Sequence, residues 1–400
     1  MQRRDFLQHA GLVALSAGLL SSVRAETAPA FAPANDAAPP FPVGPLGVVR
    51  ARSDRIIRLS VCTRPFRTQG PRIEAERIGE KIVVHNYGHG GSGWSLSWGS
   101  SSLAVGQATA TGERDYAVVG CGALGLTSAI LLQRAGKRVT IYAKDRPPEV
   151  RSSFATGVWS PDSRVCTEEH ATPAYAKIWE GMCRTSFRMK QTFLGLSGDP
   201  IEWRDRFTLS DVPYDEFRKR REAEEGPLKF GKFQDYVKDL TPAPEDLSSV
   251  SHPFGVPYVR RATTMVFNLS AYQRLLVSDF LAQGGRIENR EFFTSADFAN
   301  LPEKTIIHAT GYGARALLGD ESIVPVRGQL ALLIPQPEVT YGITAEGVSM
   351  VSRRDGLVVQ ASQKSDFDNA DTVPRRAESD EAIAALAKVL SHIKPPGQSA

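Results

Sequence analysis

The spacing of apolar and polar residues is most regular between residues 114 and 143. Tyr116 to Val119 form an apolar run typical of a buried strand, and Leu126 to Ala135 carry apolar residues at helical spacing. Gly136 then ends the helical pattern, and Arg138 to Tyr142 form a second strand-like run. The pattern therefore predicts a strand, a helix and a second strand in succession.

A glycine-rich turn joins the first predicted strand to the helix. Residues 120–125 read Gly-Cys-Gly-Ala-Leu-Gly, which is the G-x-G-x-x-G pattern. The first glycine permits a tight turn, the second lets the main chain reach a pyrophosphate, and the third lets the helix pack on the strand. The N-terminal amides of such a helix face the negative charge. Because strand, helix and strand surround it, this turn favours a dinucleotide-binding fold over an ordinary glycine-rich loop.

The rest of the chain continues the mixed pattern of strands and helices. The strand predicted at 305–309 ends in Thr310-Gly311, which is usual where the second half of an FAD-type Rossmann domain approaches its cofactor. The mixed segment 227–258 contains several prolines and predicts little. The other predicted strands are 55–61, 81–85, 286–290, 330–334 and 357–361, and the other predicted helices are 96–110, 179–193, 214–225, 271–283 and 378–393.

The N-terminal residues differ from the remainder in composition. Arg3 and Arg4 precede a short apolar run at 11–20, and small residues follow near Ala25. This order predicts a twin-arginine export signal over 1–25, with the twin-arginine translocase as a partner and a periplasmic or secreted destination. A membrane anchor and a chance pair of arginines are the alternatives. That route exports folded proteins, which favours a cofactor inserted beforehand.

Composition restricts the possible partners and ligands. The chain has 400 residues, 42% of them hydrophobic, and its net charge of +4 arises from scattered Lys and Arg, so nucleic acid is not an expected partner. Four cysteines are too widely spaced for a metal knuckle, so no metal site is expected. We expect buried thiols, with one disulfide as the alternative. These cysteines are Cys62, Cys121, Cys166 and Cys183.

Several motifs together resemble the D-amino-acid oxidase family of FAD-dependent oxidoreductases. Residues 118–126 are similar to its opening strand and turn, and Ala-Thr-Gly-Val-Trp-Ser-Pro at 155–161 is similar to the loop beside its flavin. His-Ala-Thr-Gly at 308–311 and Pro-Val-Arg-Gly-Gln at 325–329 follow in the family's order. The resemblance implies an α/β (α+β) fold, with an FAD-binding Rossmann-type domain and a substrate domain containing a mainly antiparallel sheet.

One matching segment stands at an unexpected place in the chain. Arg-Pro-Phe-Arg at 64–67, Pro-Arg-Ile-Glu at 71–74 and His-Asn-Tyr-Gly-His-Gly-Gly-Ser-Gly-Trp at 85–94 resemble the family's C-terminal signature, yet they precede its nucleotide-binding strand. We therefore expect a circular permutation, the alternative being a separate early domain. The expected organisation is a signal peptide at 1–25, a linker at 26–47, the permuted segment at 48–110, FAD-binding segments at 111–170 and 263–324, and substrate-domain segments at 171–262 and 325–400.

The resemblance also assigns site residues. It implies that Arg64 pairs with a substrate carboxylate through a two-pronged hydrogen bond, and that the carbonyl of Gly91 accepts a bond from the substrate amine; these two are the expected catalytic residues. Arg67 and Arg72 are expected in charge networks, and His85 and His89 as backbone supports. The expected FAD contacts are Gly90, Gly93, Trp94, Gly120, Gly122, Ala123, Leu124, Gly125, Asp145, Ser152, Ser153, Thr156, Gly157, Val158, Thr310 and Gly311.

The implied activity is oxidative deamination of a D-amino acid or a related small amino acid, with hydride transfer to flavin and oxygen or an unknown acceptor taking the electrons. The alternatives are a periplasmic amine or imino-acid dehydrogenase of the same fold, and a flavin-binding protein without turnover. The family's substrate tyrosines should fall in 346–350, where this chain has none, and Tyr341 lies outside that alignment. Substrate identity is therefore open. Glu346 would favour a basic substrate side chain unless it is a solvated lid residue.

Overall fold

The computed structural model describes residues 43, 46–224, 228–248, 251–361, 366–391 and 393. The predicted export signal at 1–25 lies outside these residues, and so does most of the predicted linker at 26–47. Among the helices of the described segments, none combines the length and apolar character needed to cross a bilayer.

Strands and helices alternate along the described chain. The strands are β1 (Ile56–Arg67), β2 (Ala75–Ile78), β3 (Lys81–His85), β4 (Asp115–Val119), β5 (Arg138–Ala143), β6 (Ile201–Ser210), β7 (Glu245–Leu247), β8 (Tyr258–Phe267), β9 (Arg286–Asn289), β10 (Thr305–His308), β11 (Ile323–Leu333), β12 (Tyr341–Ala345), β13 (Val348–Arg353) and β14 (Gly356–Ala361). The helices are α1 (Gly93–Thr109), α2 (Ala123–Arg134), α3 (Pro173–Gln191), α4 (Tyr214–Glu224), α5 (Leu269–Ala282), α6 (Ala314–Leu318) and α7 (Arg376–Leu390).

A six-stranded sheet forms the nucleotide-binding half of the described fold. Its order is β2-β3-β10-β4-β5-β9, and every neighbouring pair is parallel except β2 with β3. Buried residues of α1, α2 and α5, including Trp98, Leu126 and Leu276, share one core with apolar residues of these strands. Because parallel strands end at the same edge, the turns after β3, β4 and β10 meet there.

The second sheet has eight strands in the order β1-β11-β14-β13-β12-β6-β8-β7. Its neighbouring pairs are antiparallel apart from β6 with β12. Helix α7 buries Ile383 and Leu386 in the core beneath β11 to β14. The predicted combination of a Rossmann-type domain and a mainly antiparallel sheet is confirmed.

The segment before the nucleotide strand contributes to both sheets. Strand β1 pairs antiparallel with β11 over nearly its whole length, with Val61 opposite Gln329. Strand β3 pairs with β10 in the other sheet, with His85 opposite His308. Residues 56–109 are therefore not a detached module, which excludes the alternative of a separate early domain.

Two further expectations are resolved in the described fold. Helix α1 is continuous through Gly99. A side chain at this position would collide with the Met182 backbone of α3, so glycine allows the two helices to pack closely. The four cysteines are buried free thiols, as predicted.

Candidate active site

Two glycines of the turn after β4 stand where the backbone leaves no space for a side chain. Gly120 has φ +109°, and a Cβ there would lie 2.5 Å from the carbonyl oxygen of Ala309. A Cβ on Gly125 would overlap the carbonyl oxygen of Gly120. Helix α2 therefore packs directly against the turn, and its first-turn amides lie at the edge of the sheet.

Ser152 connects this turn to the start of α1. Its Oγ accepts a 3.2 Å hydrogen bond from the Ala123 amide, and its carbonyl accepts a 2.7 Å bond from Trp94 Nε1. A Cβ on Gly93 would lie 3.8 Å from Leu124, so the beginnings of α1 and α2 are adjacent. Ser153 is buried, and its Oγ has no hydrogen-bond partner within the described residues.

The loop at 155–159 follows the edge of the eight-stranded sheet near β8. The Gly157 carbonyl accepts a 2.7 Å bond from the Phe267 amide, and Val158 forms a bridge with Val266. Arg353 Nη1 donates to the Ala155 carbonyl at 2.9 Å, and its distance to the Thr156 carbonyl is 3.4 Å. A side chain of β13 thus holds the backbone that was expected to face the flavin.

The histidine-glycine loop at 88–92 reaches the strand that carries Arg64. The Gly90 amide donates to the Pro65 carbonyl at 2.8 Å, and the Gly91 amide donates to the Ser163 carbonyl at 2.9 Å. The histidine-glycine loop is therefore hydrogen-bonded both to β1 and to the segment that follows the 155–159 loop. Arg64 and Gly91, the two residues expected to hold the substrate, belong to segments joined by these bonds.

The Arg64 side chain lies over Gly328 of β11, where that strand has no side chain. Its Nη1 donates to the Arg327 carbonyl at 3.1 Å, and its guanidinium occupies the space that a side chain on Gly328 would fill. The hydrogen-bond acceptor that it contacts there, a main-chain carbonyl, carries no net charge. Burial raises the pKa of the nearby Cys62 thiol, although the charges of Arg64 and Arg151 oppose the shift. The surroundings of Arg64 therefore suit an anionic group supplied by a ligand.

Thr310 and Gly311 follow β10 at the same edge of the sheet as the glycine turn. A Cβ on Gly120 would lie 3.4 Å from Thr310 Cα. Thr310 is partly exposed, and its Oγ1 lies 2.7 Å from His308 Nε2. Asp145, two residues beyond β5, is exposed at this edge as well.

The arginines and histidines assigned supporting roles do lie in hydrogen-bond networks. Arg67 Nε donates to Ser322 Oγ at 2.8 Å, and Arg72 Nη1 donates to the Tyr87 hydroxyl at 3.1 Å. His89 Nε2 lies 2.7 Å from Ser100 Oγ, and burial lowers the pKa of His89 to about 3. The buried His89 imidazole is therefore uncharged at neutral pH, and it contacts a side chain of α1.

Arg353 was not among the residues predicted to matter for the site. It is 4% exposed and forms a bidentate pair with Asp355, at 2.8 and 2.9 Å. Although burial raises the pKa of Asp355, the Arg353 guanidinium holds it below its usual value. The sequence Ser-Arg-Arg-Asp at 352–355 resembles an exposed charged turn, and only the pairing of β13 with β14 shows that the first arginine points inward.

The region expected to supply substrate tyrosines has a different character. Glu346 is exposed in the turn between β12 and β13. Tyr341 is buried, and its hydroxyl donates to the Gly47 carbonyl at 2.9 Å. Tyr341 therefore holds the chain ahead of β1 and is not available to a substrate.

These features fit a dinucleotide cofactor. The glycines of the turn would let its backbone lie close to a pyrophosphate, and the α2 amides would be donors for the pyrophosphate oxygens. The orphaned Ser153 hydroxyl offers a further polar contact nearby. Within the described residues no group of three or more His, Cys, Asp and Glu side chains is arranged to hold a metal.

Comparison with known proteins gives the same picture. A family model described as FAD dependent oxidoreductase matches residues 115–398. The D-amino-acid oxidase of Rubrobacter xylanophilus is 27% identical over 300 residues, which cover 69% of this chain and 79% of that protein. The D-amino-acid oxidase of Dictyostelium discoideum is 25% identical over 218 residues, covering 54% of this chain and 56% of that protein.

A solved structure shares the fold. Glycine oxidase from Geobacillus kaustophilus superposes with a TM-score of 0.51 at 14% identity, covering 70% of this chain and 79% of that one. The family match spans more than half of the 400 residues and includes the glycine turn, the 155–159 loop and Thr310-Gly311. The chain therefore belongs to the family of FAD-dependent oxidoreductases, and FAD is its cofactor.

Proposed function

We propose that the protein oxidatively deaminates a D-amino acid or a related small amino acid. The observation that supports this proposal is the hydrogen bond from the Gly90 amide to the Pro65 carbonyl, which joins the histidine-glycine loop to the strand that carries Arg64. An α-amino acid carries an amine and a carboxylate on the same carbon. A carbonyl that accepts from the amine and a guanidinium that binds the carboxylate are the minimum set of groups that could hold it. The D-amino-acid oxidases with which the chain aligns support the same substrate class.

The protein's task in this reaction is to orient the substrate. Arg64 presents a planar fork that fits a carboxylate better than an ammonium group would. With the carboxylate on Arg64 and the amine on the Gly91 carbonyl, the remaining substituent and the α-hydrogen have fixed directions. Bound FAD supplies the hydride acceptor. Residues 155–158 line the flavin, and Arg353 keeps their backbone in place.

Two other activities use the same site. A periplasmic amine or imino-acid dehydrogenase would pass its electrons to an acceptor other than oxygen. A flavin-binding protein without turnover would explain why 346–350 has no tyrosine. Oxygen as acceptor is our first expectation.

Anaerobic mixing separates these possibilities. Purified protein is mixed with a panel of D-amino acids, their L-enantiomers, glycine, simple amines and imino acids, while the flavin absorbance is followed. We expect bleaching with at least one D-amino acid and no bleaching with its enantiomer. Peroxide formation on adding air identifies an oxidase, and dye reduction without peroxide identifies a dehydrogenase. If no amino acid, amine or imino acid bleaches the flavin, the proposed activity is wrong.

We also propose that the order of segments is a circular permutation. The family match begins at residue 115, and residues 56–109 are built into both sheets ahead of it. A rearranged chain with 48–110 moved behind 393 would restore the family's order. We expect this chain to fold, bind FAD and oxidise the same substrates. A colourless, aggregated product alongside a normal parent protein would count against it.

Export through the twin-arginine route is proposed from Arg3 and Arg4. Replacing both arginines by lysine keeps the charge, and we expect it to retain the protein in the cytoplasm of a Gram-negative host. The matched control is the pair Arg50→Lys and Arg52→Lys, outside the signal. Unchanged periplasmic activity after the Arg3 and Arg4 replacement would overturn the proposal.

A further inference from the structure

Two buried histidines face each other at the carboxyl ends of β3 and β10. The Nδ1 atoms of His85 and His308 are 3.1 Å apart, because the two residues are opposite each other in the parallel ladder. Both are fully buried, and their rings meet edge to face with centroids 5.3 Å apart. Burial lowers the pKa of both imidazoles, so both are neutral at neutral pH.

Each histidine has a second partner on its other ring nitrogen. His85 Nε2 lies 2.8 Å from Glu76 Oε1, on the edge strand β2. His308 Nε2 lies 2.7 Å from Thr310 Oγ1. A continuous row of hydrogen bonds therefore crosses the sheet from Glu76 to Thr310.

Only one set of tautomers satisfies every contact in this row. Arg72 Nη2 bonds the second oxygen of Glu76 at 3.1 Å, and together with His85 it keeps the pKa of this carboxyl low despite burial. An ionised carboxylate only accepts, so His85 carries its proton on Nε2 and its Nδ1 accepts. His308 must then donate from Nδ1 and accept at Nε2. The Thr310 hydroxyl is left to donate to His308.

We propose that Glu76, His85 and His308 form a positioning relay that fixes the Thr310 hydroxyl as a hydrogen-bond acceptor towards bound FAD. With its one proton committed to His308, the Thr310 oxygen can only accept from any other partner. Thr310 adjoins the glycine turn at the sheet edge where the cofactor binds. This inference rests on the proposed contact between Thr310 and FAD. The hydroxyl groups of FAD are suitable donors.

The carboxylate sets the direction of the relay. A glutamine at position 76 could donate its amide to His85 Nε2, which would reverse both imidazoles and turn the Thr310 oxygen into an acceptor from His308. The hydroxyl proton would then point at the cofactor. Glu74 is a matched control, because its carboxylate also bonds Arg72, at 2.6 Å, while among the described residues its only hydrogen bond to a histidine is a main-chain one, from the His85 amide to the Glu74 carbonyl.

A double-mutant cycle on FAD binding tests the relay. The dissociation constant of FAD from the full-length protein is measured by flavin fluorescence for wild type, Glu76→Gln, Thr310→Val and the double variant. We expect each single variant to raise it roughly twofold to tenfold, the range for one neutral hydrogen bond. The double variant should bind like Thr310→Val, while Glu74→Gln and Thr310→Ser should bind like wild type.

Two results would overturn the inference. One is an unchanged dissociation constant in Glu76→Gln or in Thr310→Val, and the other is additive effects in the double variant, which would mean that Glu76 acts independently of Thr310.

Nitrogen-15 NMR of the histidine rings gives a second readout. Protons on His85 Nε2 and His308 Nδ1 are expected, and the opposite tautomers would exclude the relay. Neither measurement uses a substrate, so failure here is distinct from failure of the proposed deamination.

Discussion

The Gly90 amide donates a 2.8 Å hydrogen bond to the carbonyl of Pro65, the residue that follows Arg64. Phe66 and His89 form a β-bridge beside it, so the histidine-glycine loop extends the pairing of β1. Main-chain hydrogen bonds therefore join the loop that contains Gly91 to the strand that carries Arg64. If these two residues hold the substrate as proposed, their segments are already connected before it binds.

Replacing Arg64 with leucine should leave FAD bound and greatly weaken turnover. Losing a charge-assisted, two-pronged hydrogen bond costs about 2 to 4 kcal/mol in transition-state binding, or roughly one and a half to three decades in kcat/KM. Arg64→Lys should recover part of the loss, since it keeps the charge without the fork. Steady-state kinetics and the rate of anaerobic flavin reduction measure both effects.

Arg67→Leu is the comparison for this experiment. Arg67 bonds Ser322 and the Gly70 carbonyl and lies 3.6 Å from Asp320, so its loss should lower stability more than substrate binding. If Arg67→Leu abolishes carboxylate dependence and Arg64→Leu does not, the carboxylate site has been assigned to the wrong arginine.

Gly125→Ala should prevent stable FAD binding. A methyl group there would overlap the Gly120 carbonyl and push α2 away from the turn. Gly106→Ala is a matched control, because Gly106 also lies inside a helix and a Cβ there meets nothing within 4 Å. Alanine at that position should raise helix stability by up to about 1 kcal/mol. The flavin absorbance per protein molecule and the melting temperature distinguish the two variants. Equal FAD content in Gly125→Ala and Gly106→Ala would contradict the steric argument.

The nucleotide-binding half was predictable because its signals are local. Lys81 to His85 was predicted with the bounds that the structure has, and the strands and helix around Gly120 were predicted to within a few residues. Each element there is an apolar run between glycines, and parallel strands buried on both faces give strong apolar signals. Main-chain geometry imposes glycine at position 120, so the sequence carries that information directly.

Much of the eight-stranded sheet was missed because its strands are stabilised across the sheet. Strand β6 reads Ile-Glu-Trp-Arg-Asp-Arg-Phe, and its Glu202 pairs with Arg204 in the same strand and with Arg354 beyond β13. A run with so many charges predicts a loop until those partners are known. Strand β13 is also stabilised by its neighbours in the sheet, so it was missed from the sequence, and Arg353 was missed with it. The register that places Arg353 inside depends on contacts distant in sequence.

Arg353→Leu should destabilise the protein strongly. It would leave the partly buried Asp355 with Ser270 as its remaining side-chain partner and free the Ala155 carbonyl. Breaking a buried pair from one side costs about 3 to 5 kcal/mol, and the partial exposure of Asp355 puts the expected loss at the lower end of that range. Adding Asp355→Asn should restore part of the loss by removing the unpaired charge. Arg354→Leu is the adjacent control; its side chain is 54% exposed, so a loss of about 1 kcal/mol or less is expected. Urea unfolding measures all four proteins, and equal losses at 353 and 354 would contradict the buried pairing.

Buried neutral histidines should make stability depend on pH between 7 and 5. The pKa of His89 falls from 6.5 to about 3 on burial, and its Nδ1 has no partner within the described residues. Below about pH 6.5, His89 therefore binds a second proton in the unfolded chain but not in the folded chain. The stability contributed by neutral His89 is present above that pH and is lost as the pH falls below it. The slope approaches about 1.4 kcal/mol per pH unit for each such histidine. Urea unfolding at pH 7, 6 and 5 should show this decline. His89→Asn should make it less steep, with buried His85 and His308 contributing the remainder, whereas His170→Asn, at a partly exposed site, should leave the slope unchanged. A decline that is just as steep in His89→Asn would show that other groups cause it.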